Sequence, residues 1–150
     1  MACGGGWRGP PVGVAAPRGL DRAADVDGGE PAEPSPVPAD FRTTMTRVRD
    51  RALSRGHGER FDGIVWANAT ATATATATTA ATPDGALYVE EAIERGPSGD
   101  RPAGLLVMER RGGVWRYLAV MPSGEVVTGQ PVAACVACHR EAPADEVFPP

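Results

Sequence analysis

Eight glycines and seven prolines fall within the first 39 residues of this 150-residue chain. Large apolar side chains are few in the same stretch. Such a segment buries too little surface to offset the entropy of ordering it, so residues 1–39 read as a disordered tail. The core must come from residues 40–150, enough for one small domain. Aromatic residues make up only 5% of the chain, so that core is mainly aliphatic.

The pattern after residue 39 predicts an α+β fold, mostly antiparallel β-sheet with a helix at each end. Asp40 suits the N-cap of a first helix. Phe41, Met45, Val48 and Leu53 then share one helical face, with arginines on the other. Gly56 and Gly58 stop it. Residues 61–68 read as a strand centred on Ile64, Val65 and Trp66. Residues 69–82 are nearly pure Ala-Thr and form a low-complexity insert. Its period of two suits a strand, but no side chain there anchors a core. Asn68-Ala69-Thr70 matches a glycosylation sequon, a pattern too short to carry weight. Pro83-Asp84-Gly85 marks a turn before a strand over 86–91. Residues 105–110 and 114–121 form a hairpin across Gly112-Gly113. Val126-Val127 adds a short strand. Pro131 opens a last helix that ends before Pro143.

That last helix contains Cys135-Val136-Ala137-Cys138-His139, the Cys-x-x-Cys-His pattern of covalent c-type haem attachment. Positions i, i+3 and i+4 share one helical face. Cys135 and Cys138 can therefore each form a thioether to one porphyrin, while His139 reaches the iron as proximal ligand. The C-terminal helix is then haem-bearing, with one covalent haem c. A thioredoxin-like redox pair is the first alternative, but it opens a helix after a central strand in an α/β fold. A zinc site is the second, and its only further candidate ligands are His57 and Cys3.

Charge narrows the class further. The net charge is −4 and all fifteen basic residues are arginine. An acidic chain without a basic stripe is not built for nucleic acid. The absence of lysine excludes Schiff-base chemistry and any lysine cross-link. No apolar run is long enough to span a bilayer. No export signal is visible either. Met1-Ala2-Cys3-Gly4 resembles the end of a lipoprotein signal without its apolar part. Haem attachment occurs on the oxidising side of bacterial membranes. The expectation is therefore translation from upstream of Met1 and a periplasmic product, or one on the outer face of the cytoplasmic membrane.

Only eleven residues follow His139, and none is Met or His. That placement, with residues 41–51, Gly56-His57-Gly58, Trp66-Ala67-Asn68, Pro83-Asp84-Gly85-Ala86, Val114-Trp115-Arg116-Tyr117 and Asp145-Glu146-Val147-Phe148, resembles the cytochrome P-460 and cytochrome c′-beta family. The resemblance runs over about residues 40–148 and is poorest in the Ala-Thr tract. It implies a dimeric antiparallel sheet with flanking helices and one five-coordinate haem c. It also implies that Cys135 and Cys138 bind haem and His139 ligates iron. Family members that oxidise hydroxylamine cross-link a lysine to the porphyrin. Here Glu90-Glu91 stands in that region, which leans the resemblance toward the gas-binding branch.

The expected partner is nitric oxide or a similar small gas. The alternative is an electron-transfer cytochrome with a redox partner protein. An oxidoreductase acting on small nitrogen compounds or peroxide is less favoured. Phe61, with Phe41 and Trp66 behind it, is the candidate wall of a distal pocket, against ordinary core packing as the bland reading. His57, between two glycines, reads as a solvated loop residue, with a sixth iron ligand as the sharper reading. Met45, Met108 and Met121 fall on helix or strand patterns and read as core. Trp115 and Tyr117 read as packing residues, Asp145 and Glu146 as the end of the fold.

Overall fold

A computed structural model of the chain describes residues 34–57, 61–74, 82–128, 132–142 and Val147. The elements are α1 (Phe41–Thr44), β1 (Thr46–Leu53), a 3-10 turn (Arg55–His57), β2 (Phe61–Ala67), α2 (Ala69–Thr74), β3 (Leu87–Glu94), β4 (Arg101–Arg111), β5 (Val114–Val120), β6 (Val126–Val127) and α3 (Ala133–His139). All six strands join one antiparallel sheet, and their spatial order is their chain order. Residues 1–33, with Cys3 and most of the expected tail, lie outside the described residues, as do Pro131, Asp145 and Glu146.

This corrects the expected α+β class with its N-terminal and haem-bearing C-terminal helices. The described residues are mostly sheet, and the three helices have only four, six and seven residues. The expected first helix breaks after one turn. Met45 is extended, with φ −106° and ψ 156°, and the chain continues as β1. The spacing of Phe41, Met45, Val48 and Leu53 fits a helix. Yet Arg47, Arg49 and Arg51 also alternate, and in the strand all three meet acids, Arg47 with Asp50 at 3.1 Å within β1 and the other two beyond it. Arg49 meets Glu90 at 3.2 Å, and Arg51 meets Asp62 at 2.8 Å and Asp100 at 2.6 Å. Tertiary pairing with β2 outweighs a four-residue spacing. At the other end α3 makes two turns against the sheet, not a long helix.

The β4–β5 hairpin forms as the sequence predicts. Gly112 and Gly113 both have positive φ, 61° and 75°, as a two-residue turn matching strand twist requires. The Asp84 carboxylate accepts both of their N–H groups, at 3.0 and 2.9 Å. Asn68 caps α2: its Oδ1 accepts the Ala71 N–H at 2.9 Å. The same Oδ1 accepts the Leu87 N–H at 3.1 Å, and Nδ2 donates to the Gly85 carbonyl at 2.7 Å. The sequon amide is thus engaged in holding the fold, and residues 69–74 of the Ala-Thr tract are helical. Residues 75–81 lie outside the described residues.

Strand alternation sorts the apolar residues onto two faces. Trp66, Val89, Val107 and Leu118 stand in one cross-strand row. Phe41, Met45 and Val37 cover that row from the N-terminal side. The next row, Ala67, Tyr88, Met108 and Tyr117, faces the other way. Ala71 from α2 and Val132, Cys135 and Val136 around α3 pack on that second face.

Candidate functional site

The second face carries the chemistry. α3 places Cys135, Cys138 and His139 at i, i+3 and i+4, on one helical side. Neither cysteine is in a disulfide, and both are half-buried. Burial pushes the Cys135 thiol above its ordinary range. The His139 ring lies beside Tyr117 of β5, with centres 5.3 Å apart and planes at 51°. The His57 ring, from the 3-10 turn, lies 6.4 Å from the His139 ring with planes only 20° apart. Two residues separated by most of the domain's sequence therefore share one location.

His57 is held from below. Its Nδ1 is 2.9 Å from the Ser54 hydroxyl and 3.4 Å from Glu90 Oε1. The Ser54 hydroxyl donates to the same Glu90 oxygen. Arg49 reaches the other carboxylate oxygen at 3.2 Å. Glu90 sits mid-strand in β3, and register places it in one row with Val65, Leu106 and Ala119. Leu106 and Ala119 belong to the cluster on which α3 packs. Burial alone would raise the Glu90 carboxyl. The contacts from His57, Ser54 and Arg49 outweigh it and hold the group below the usual carboxylate range.

The candidate pocket residues divide. Phe61 is buried and alternates in register with Gly63, Val65 and Ala67, so it shares the face of α3. Phe41 and Trp66 meet edge-on with ring centres 5.8 Å apart in the opposite cluster. The sheet lies between that pair and Cys135. Met45 joins the same opposite cluster, and Met108 joins the face of α3. Trp115 and Tyr117 are both buried in the cluster under α3. Among the described residues, no group of three or more His, Cys, Asp or Glu side chains is gathered to hold a metal ion. None of their helices is long and apolar enough to cross a membrane.

Sequence reasoning missed the Arg49–Glu90–Ser54 cluster under His57. Two signals for it were present. Gly63 interrupts an apolar strand, and Glu90 does the same in β3. A polar side chain in a buried strand needs a partner, but only the pairing of strands reveals which. No protein-family model matches the chain, and no curated protein matches it significantly.

Proposed function

We propose that this chain is a single-haem c-type protein, exported in a bacterium, with haem c on Cys135 and Cys138 and its iron ligated by His139. The observation that carries this reading is the donor set of α3: two thiols outside any disulfide and one imidazole on one helical side, with Cys135 packed on a sheet face. When bound, the group supplies a one-electron couple and a site for a small uncharged ligand. The chain's own residues hold the His139 ring beside Tyr117 and keep water from the buried side of Cys135.

The resemblance to the cytochrome P-460 and c′-beta family makes nitric oxide or a similar gas the first candidate ligand. A second reading, electron transfer to a partner protein, is favoured by one observation: a second imidazole, His57, stands near His139. Lysine cross-link chemistry has no residue to use. The test is expression in a host with c-type haem maturation. The intact mass should exceed the polypeptide by one haem, with a reduced pyridine haemochrome of c type. Cys135→Ser with Cys138→Ser should abolish both. A matured chain without covalent haem ends this reading. Carbon monoxide uptake by the ferrous protein then separates gas binding from a closed electron carrier.

A further inference from the structure

We propose that Arg49 binds a propionate carboxylate of the haem. This deepens the haem reading above and rests on it. It concerns the edge of the porphyrin and leaves the iron with His139 as its one protein ligand.

Arg49 reaches the face of α3 through a fault in β1. Arg47 pairs with Trp66 and Arg49 with Val65, so Val48 is an extra residue between two neighbours of β2. The register shifts again between Arg49 and Ala52. Faults of this kind re-aim side chains and recur beside functional sites. Val65 stands in the row of Glu90, Leu106 and Ala119, under α3. Val48 packs in the cluster that includes Cys135. The Arg49 side chain is 30% exposed, against 55% for Arg47.

The guanidinium there is only partly used. Its Nη2 donates to Glu90 Oε2 at 3.2 Å. Its Nε is buried and, among the described residues, makes no hydrogen bond. A buried N–H without an acceptor is costly. Glu90 is already engaged elsewhere, since its Oε1 accepts from the Ser54 hydroxyl. The acceptor that fits is a second carboxylate, whose two oxygens match the planar guanidinium fork. Haem c carries two propionate carboxylates. The cluster lies near the iron ligand: Glu90 meets His57 at 3.4 Å, and the His57 ring stacks with that of His139. An arginine at this place lets the porphyrin settle on the face of α3 without burying an unpaired charge.

The test uses the full chain matured with haem. It reads the propionate bending band of the resonance Raman spectrum, which falls in frequency when a propionate loses a hydrogen bond. Arg49→Met should lower the band while the mass still shows one covalent haem. Arg49→Gln keeps an amide donor and should lower it less. Arg42→Met removes an arginine paired with Glu91 and should leave the band in place. An unchanged band in both Arg49 variants overturns the proposal. So does a band that answers to Arg110→Met instead, since Arg110 stands over Trp115 at 5.5 Å in the cluster under α3. Arg49→Met should also lower the band in a Glu90→Gln background. No shift there would make Arg49 a counter-ion of Glu90 alone and overturn the proposal. A wild type whose mass lacks covalent haem overturns the parent reading instead, so the two failures are distinct.

Discussion

At the scale of single residues, the chain's missing lysine has a use beyond excluding a cross-link. In most proteins the alkaline limb of stability is crowded by lysines. Here arginine carries every basic side-chain charge, and arginine does not titrate in that range. Tyr88 is half-buried, and its hydroxyl donates to the Ala71 carbonyl of α2 at 3.3 Å. Burial raises its ionisation above the ordinary phenol value. The folded value thus exceeds the unfolded one. Its contribution to stability is complete below the unfolded value, about pH 10, and is lost as pH rises through the folded value. Thermal melts between about pH 9 and 11 should fall more steeply for wild type than for Tyr88→Phe. Parallel slopes would show that Tyr88 is not the group concerned. A related expectation concerns the buried carboxylate. Glu90→Ala removes the carboxylate partner of the Arg49 guanidinium and of the buried Ser54 hydroxyl, and should cost about 2–3 kcal/mol in denaturant unfolding. An unchanged midpoint would mean that water already satisfies both groups.

At the scale of elements, short connections are tied by single polar side chains, and these ties decide which elements form. Asn68 alone accepts two backbone N–H groups and donates to one carbonyl, linking β2, α2 and the turn before β3. Asn68→Ala leaves all three backbone groups without that partner. It should lower stability by about 2 kcal/mol, combining a lost cap with unsatisfied backbone groups. Asn68→Asp keeps the two acceptor contacts and should cost less. Equal losses in the two variants would contradict the capping role. Element formation was legible where local chemistry decides. Gly112-Gly113 demands a hairpin turn, and Pro83-Asp84-Gly85 a bend, whatever the rest of the chain does. It was not legible for residues 45–53, because their apolar spacing suits a helix and only the acids on β2, β3 and the loop near Asp100 favour a strand. The site shows the same divide. Cys135, Cys138 and His139 are legible because five adjacent residues specify them. The support of His57 is not, because Ser54 and His57 lie 36 and 33 residues from Glu90 in sequence.

At the scale of the whole molecule, one sheet separates two kinds of burial. Residues before β1 close the first face through Val37, Phe41 and Met45. The second face holds α2, α3, His57 and the Glu90 cluster. Strand order follows chain order, so alternate residues of the same strands serve both faces, and a single strand links packing to chemistry. Changes on opposite faces should nevertheless be nearly independent, since among the described residues the two clusters have no member in common. Phe41 tests this division. It is 4% exposed and packs edge-on against Trp66. Phe41→Ala should cost about 3–4 kcal/mol through the cavity it leaves, and Trp66 fluorescence should change with it. That loss is a large share of the stability of a small domain, so Phe41→Leu offers a milder probe with a smaller loss. In both variants the spectrum of the matured haem protein, measured well below the melting temperature, should match wild type. Phe61→Leu, on the face of α3, should alter that spectrum or its response to carbon monoxide. If Phe41→Leu shifts the spectrum as much as Phe61→Leu does, the sheet does not isolate its two faces. Phe41 would then belong to the pocket that the sequence alone suggested.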